Sequence, residues 1–261
     1  VSPIEAFLTS VILVVLAKTL AWLLQVRSGN AGVVDAIWAF SLGGLAVFYA
    51  LVGSAPAETR LVLAVLGGLW GLRLGSHLWS RTWGHVEDWR YAQFRAQWGA
   101  QVNLKMFGFF QFQNLFTLAL SASAFLTVAY RPDDAPNWAQ VLAVLIWVTA
   151  VLGETLADNQ MEEFRRHPHN KGQVCDQGLW YYSRHPNYFF ECLHWLAYVP
   201  LALGSPWGWL SCAAPLVMAG LLMKLSGIPM LEEGLLRRKP GYADYVARTS
   251  ALIPWPPKRR S

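Results

Sequence analysis

The chain has 261 residues, 54% of them hydrophobic and only 14% charged, with a net charge of +5. Soluble domains carry about 25% charged residues, so these figures argue against a large soluble all-α domain. The lysines and arginines are spread over the segments between apolar runs, which speaks against a nucleic-acid partner and no nucleic acid is expected.

Seven apolar runs of bilayer length are predicted as spans, near 4–25, 34–53, 61–80, 107–129, 138–157, 187–203 and 207–226. The first is expected to be a span rather than a cleaved leader, because its apolar stretch is long and no basic leader or small-x-small site accompanies it. The second opens with Asp35, inside Gly32-Val33-Val34-Asp35-Ala36-Ile37-Trp38. The third carries Arg73 and His77 four apart, on one helical face. An ionisable group at membrane depth is costly unless it faces a polar cavity or a partner, so each is a functional candidate; the bland alternative is an interhelical pair such as Asp35 with Arg73. The loop Glu87-Asp88-Trp89-Arg90-Tyr91 alternates charge and aromatic character, and reads equally as an interfacial anchor or as part of a site.

The fifth run ends with Glu154 and Asp158, and the sixth carries Glu191 and His194. Between them lies the densest polar set of the chain: Asp158, Gln160, Arg165, His167, Asn170, Lys171, Tyr181, Arg184, His185, Asn187, Tyr188 and Glu191. Arginine and lysine suit phosphates, the first through a bidentate fork and the second as a point charge. Asparagine and aspartate suit ribose hydroxyls or carboxamides, and tyrosine rings offer stacking faces. No glycine-rich phosphate loop is present, so a nucleotide here is held by side chains. The bland reading is a solvated basic loop anchored to lipid headgroups. Runs six and seven read as a tight hairpin. The segment 229–247 is too charged to cross lipid, and Pro240-Gly241 divides it into two short helices. The tail from Lys258 to Arg260 attracts anionic headgroups.

Lysine and arginine counts place the N-terminus outside and the C-terminus in the cytoplasm. Cys175, Cys192 and Cys212 show no metal or disulfide spacing. His167, His169 and Asp176 match no known ligand pattern well, and no metal is expected.

The runs Leu69-Trp70-Gly71-Leu72-Arg73-Leu74, Glu87 to Tyr91, Ala157-Asp158-Asn159-Gln160, Asn170-Lys171-Gly172 and Gly178-Leu179-Trp180-Tyr181-Tyr182-Ser183-Arg184-His185-Pro186-Asn187-Tyr188 resemble the steroid 5α-reductase family, in its bacterial branch. The resemblance covers nearly all of residues 28–255. It implies an all-α, polytopic membrane protein of one domain, residues 1–261, with seven transmembrane helices and a cytoplasmic cofactor-binding cap built from 154–255. It further implies NADPH as cofactor and reduction of the carbon–carbon double bond of an enone lipid, such as a 3-oxo-Δ4 steroid, to the 5α-reduced ketone. In that family a span-two glutamate and a span-three tyrosine contact the ketone. Asp35 matches the glutamate by position. No tyrosine stands in span three, and His77 or Tyr91 is expected to replace it. Asp158, Arg165, Asn187 and Glu191 keep the family's cofactor spacing, while Lys224 stands at a family arginine and Glu232 at a family tyrosine.

On this resemblance Arg165, Lys171, Arg184 and Lys224 are expected to hold phosphates, and Asp158, Asn187 and Glu191 ribose or carboxamide groups. Asn170, Tyr181, His185, Tyr188 and Glu232 complete the expected cofactor set. Asp35, as a neutral acid, is expected to donate to the ketone oxygen, with His77 or Tyr91 in support. Membrane lipids surround the protein, and a monomer is the expected state. The Arg-His-Pro-x-Tyr core also occurs in isoprenylcysteine carboxyl methyltransferases, so an S-adenosylmethionine-dependent methyltransferase is the rival enzyme. A lipid-binding or transport protein is the non-catalytic rival.

Overall fold

The computed structural model describes residues 1–225 and 227–258; Arg259 and Arg260 of the basic tail lie outside the described residues. All named elements are helical, with one isolated parallel bridge, Ser183 to Ser250, among the described residues. Among the described residues, six helices or helical runs are long and apolar enough to cross a membrane: Pro3–Ser28, Val33–Val52, Ala57–Thr82, Trp89–Ala129, Asn137–Arg166 and Gly208–Arg238. The protein is therefore an all-helical integral membrane protein. The chain forms two compact units, residues 1–140 with 198–214, and residues 141–197 with the residues from Pro215 on.

The first unit begins with α1 (Pro3–Ser28). Ser2 and Glu5 form a reciprocal capping box, and Gly29 closes the helix at φ 70°, a conformation that favours glycine. Its buried stripe is Ala6, Ser10, Val14, Lys18, Ala21 and Gln25, at helical spacing but with three polar members. Ser10 receives the Tyr49 hydroxyl at 2.8 Å. The helices α2 (Val33–Val52) and α3 (Ala57–Thr82) pack most extensively. A Cβ on Gly71 would stand 2.5 Å from the Gly43 Cα and 2.8 Å from the Ala39 carbonyl oxygen. Glycine is required there because the two backbones touch.

The expected 107–129 span is jointed. It comprises α4 (Trp89–Trp98), α5 (Val102–Phe112), α6 (Asn114–Ser121), a π-helical turn Ala122–Leu126 and α7 (Thr127–Ala129). Arg131 follows, buried, with its guanidinium donating to the carbonyls of Asp133 and Leu201.

In the second unit, the residues of α8 (Asn137–Arg166) from Val141 on lead to α9 (Leu179–Tyr182) and α10 (Pro186–Leu196). The expected 187–203 span is divided at Ala197 into α10 and α11 (Tyr198–Ala202), of 11 and 5 residues. Neither approaches the ~20 residues a spanning helix needs. The expected 207–226 span holds a 3-10 turn Gly208–Cys212, α12 (Ala213–Gly220) and a π turn Leu221–Leu225. The two short helices flanking Pro240-Gly241 are α13 (Ile228–Arg238) and α14 (Tyr242–Arg248), separated by Gly241 at φ 82°.

Candidate functional site

Two polar constellations stand out, one in each unit. In the first unit, Asp88 caps α4 by accepting the Arg90 N–H at 3.0 Å. That cap sets the first turn so that Tyr91 points inward, 4% exposed, into a cluster with Ala21, Ala31, Val34, Met106 and Phe110. The Tyr91 hydroxyl donates to Asp35 Oδ1 at 2.8 Å. The Arg90 guanidinium stands 3.7 Å from the other Asp35 oxygen and donates to Asp88 at 2.9 Å. Burial alone would raise the Asp88 carboxyl, but the Arg90 hydrogen bonds and charge outweigh it and hold that group below its ordinary value. Glu87 accepts from Arg95 at 2.9 and 3.1 Å and from the Ala31 N–H at 2.7 Å, which ties α4 to the start of α2. The Glu87–Tyr91 run thus does more than anchor an interface. Of the two residues expected to replace the span-three tyrosine, Tyr91 meets the acid. His77 sits half-buried on α3, where its carbonyl takes the Ser80 hydroxyl.

In the second unit, Arg184 and Glu232 form a two-point pair at 2.7 and 3.2 Å. The remaining face of the guanidinium donates to the carbonyls of Val246 and Thr249. His185 Nε2 meets Glu232 Oε1 at 2.8 Å, and the Tyr242 hydroxyl reaches the same oxygen at 3.4 Å. Tyr245 donates to the carbonyls of Trp180 and Ser183. Arg184, expected as a phosphate cation, instead spends its donors inside the protein, because a carboxylate and two carbonyls lie within its reach. His185 and Glu232 are likewise parts of this tie.

The other expected cofactor residues differ in exposure. Asn187 Nδ2 donates to Asp158 Oδ1 at 3.4 Å, and Asn187 Oδ1 accepts the Tyr188 N–H. Tyr188 stacks on the His185 ring with centroids 5.3 Å apart. Glu191 is buried and accepts from the Trp195 indole at 2.9 Å. Arg165, Lys171, Tyr181 and Lys224 are exposed. Asn170 donates to the Phe164 carbonyl near the end of α8 and so caps that helix. Lys171 lines an open groove of ≈480 Å³ with Gln173, Asp176, Asp244, Tyr245 and Arg248. No group of three or more metal-ligating side chains occurs among the described residues.

Burial is the largest influence on His185 and lowers its proton affinity; Glu232 opposes this without overcoming it. Below the ordinary imidazole value of about 6.5, unfolded chain binds a proton that the folded ring refuses, so stability falls as pH falls. Thermal unfolding in detergent is expected to shift to lower temperature between about pH 7 and pH 5, and His185→Asn is expected to flatten that slope. An unchanged slope in the variant would remove His185 as its source. The Tyr242 and Tyr245 phenols are raised chiefly by burial.

Sequence reasoning passed over three residues. Tyr242 and Tyr245 showed only as aromatic members of a charged helix. Lys18 carried a clearer signal, a lysine in the middle of an apolar span: it is 0% exposed and donates to Gln113 Oε1 at 2.9 Å.

Comparison with known proteins adds two findings. The family described as Protein of unknown function (DUF1295) matches residues 21–249, and that family is related to steroid 5α-reductase-like proteins. An uncharacterized protein of Schizosaccharomyces pombe, C594.04c, is 25% identical over 95% of this chain and 79% of its own length. No solved structure matches.

Proposed function

The chain belongs to the DUF1295 family, and we propose that it is an NADPH-dependent membrane reductase of an enone lipid, of which a 3-oxo-Δ4 steroid is the type. The observation that carries this reading is the Tyr91–Asp35 hydrogen bond, set in an apolar cluster beside α1 and α2. A buried phenol whose hydroxyl can turn from a partly exposed carboxylate to a carbonyl oxygen suits a carbonyl that gains negative charge. The geometry gives Asp35 the acceptor's part, so the donor's part expected of a neutral Asp35 passes to Tyr91.

The residues of the second unit fit a dinucleotide by their chemistry. Exposed Arg165, Lys171 and Lys224 suit phosphates. Asp158 with Asn187 suits hydroxyl or carboxamide groups, and the exposed Tyr181 ring suits stacking. Arg184, His185 and Glu232 shape the backbone that presents them. When bound, NADPH would supply hydride to the β-carbon of the enone. The Tyr91 hydroxyl, whose single proton rests on Asp35 Oδ1, would turn to donate it to the carbonyl oxygen as the alkene electrons move there, and water would deliver the proton to the α-carbon. The apolar helices exclude water from the flat substrate.

On this reading the α10–α11 segment is the seventh membrane segment in broken form, and residues 154–255 supply the cytoplasmic cap. The lysine and arginine distribution supports an outside N-terminus and a cytoplasmic C-terminus. The test is a panel of enones assayed by NADPH consumption with product mass spectrometry. Gain of two hydrogens across the conjugated bond of at least one enone supports the reading. No turnover of any member, with folded protein, argues against it.

A further inference from the structure

Residues 251–258 form no helix, yet their course along the second unit is fixed. Just before them, the Ser250 carbonyl accepts the Arg184 N–H at 2.8 Å. The Leu252 carbonyl accepts the Ser183 hydroxyl at 2.8 Å. The Trp255 N–H donates to the Tyr182 carbonyl at 2.9 Å, and the Lys258 N–H to the Arg248 carbonyl at 3.0 Å. Pro254, Pro256 and Pro257 stiffen the stretch between these ties.

The side chains divide. Leu252 turns inward, 9% exposed, whereas Ile253 and Trp255 stand out at 63% and 69%. Tyr182, whose carbonyl holds Trp255, is exposed as well, and so is Lys258. An ordered backbone therefore holds two large apolar groups away from the protein, and ordering chain costs entropy that their own burial does not repay.

The chemistry of this patch selects its cover. Tryptophan and tyrosine favour the headgroup depth of a bilayer, where an apolar ring and a polar N–H or O–H are both accommodated. Lys258 beside them suits anionic headgroups. A second copy added edge to edge is poorly served, because the prolines bring no N–H and those of Trp255 and Lys258 are spent within the chain. The same unit carries most of the candidate span Asn137–Arg166, so a bilayer is at hand.

We propose that residues 251–258 are an interfacial anchor: Ile253 and Trp255 seat in the headgroup layer of an anionic leaflet, Lys258 meets lipid phosphate, and the backbone ties pass this hold to residues 182–184. The proposal needs neither NADPH nor an enone, so it stands or falls apart from the reductase reading.

The experiment places a nitroxide on the full chain at Ile253→Cys, with the exposed Cys212 replaced by serine, in nanodiscs of phosphatidylcholine with and without phosphatidylglycerol. The same chain with Ile253 retained, labelled alike, gives the background to subtract. Oxygen is expected to reach the label at 253 more readily than a water-soluble nickel chelate does, whereas at Glu233→Cys, on an exposed stretch of α13, the chelate is expected to dominate. Phosphatidylglycerol is expected to deepen the label at 253, and Lys258→Glu to abolish that gain. Should Ile253→Cys not fold, Trp255→Cys carries the same label. Equal access of the chelate at 253 and 233, or a depth indifferent to phosphatidylglycerol, overturns the proposal. So does spin–spin broadening at 253, which would mean that a second copy covers the patch.

Discussion

Tyr91→Phe is expected to lower turnover by about 10²–10³-fold, the usual loss for one hydrogen-bond donor aimed at a developing oxyanion, while leaving NADPH affinity within a factor of about two. The variant keeps the ring that fills the cluster of Ala21, Val34 and Phe110 and removes only the hydroxyl bonded to Asp35. Because the lost interaction strengthens as charge moves onto the carbonyl, the defect belongs in kcat more than in KM. Steady-state kinetics with the best enone substrate, alongside fluorescence titration of NADPH, separates the two quantities. Asp35→Asn is expected to show the same pattern to a smaller degree, since the phenol remains but is held less well. A Tyr91→Phe enzyme with normal turnover would take the hydroxyl out of the chemistry.

Glu232→Ala is expected to be the most destabilising single change in the second unit. The Glu232 carboxylate answers Arg184 and His185, whose side chains are 10% and 2% exposed. Removing it leaves a largely buried guanidinium without its counter-charge, a loss of about 3–5 kcal/mol when a buried pair is broken from one side. Those partners lie 48 and 47 residues away in the chain, so the damage is expected to spread. Hydrogen exchange should speed up around residues 180–186 and 242–252, where the Arg184, Tyr245 and Ser183 bonds to backbone carbonyls converge. Helices α1 to α3 should keep their protection. Thermal unfolding in detergent together with exchange mass spectrometry checks both parts. Unchanged exchange at 180–186 would mean that the tie does not organise that loop. NADPH affinity is expected to fall in this variant as well, although Glu232 is assigned no contact with the cofactor.

The difference between these two substitutions reflects what could be read from residue order. The first three membrane helices were legible because their apolar runs are long and end at glycine or at polar clusters, and hydropathy averages such runs well. The same averaging hid Lys18, one charge among apolar neighbours, although a lysine at that depth was a signal in its own right. The break at Ala197 had a signal that went unused: Pro200 brings no N–H to the Leu196 carbonyl four residues back, although Ala197 itself keeps helical angles. The acid at Asp35 was visible as an ionisable group at a span start. Its partner Tyr91 was visible only as one of two alternatives, because 56 residues separate them and chain order does not encode that approach. The partners of Arg184 were hidden for a related reason. Residue type announces a cation, and the carboxylate that occupies it is found only when α13 is folded back.

The most direct test of the account is the melting temperature of the purified full chain in detergent, measured with NADPH, with NADH and with S-adenosylmethionine. A ligand that binds only the native state stabilises it by about 2.7 kcal/mol at a hundred times its dissociation constant. The reductase reading predicts a clear upward shift with NADPH, a reduced shift in a Lys171→Ala, Arg165→Ala double variant, and none with S-adenosylmethionine. No shift with NADPH, or a shift with S-adenosylmethionine instead, would contradict it.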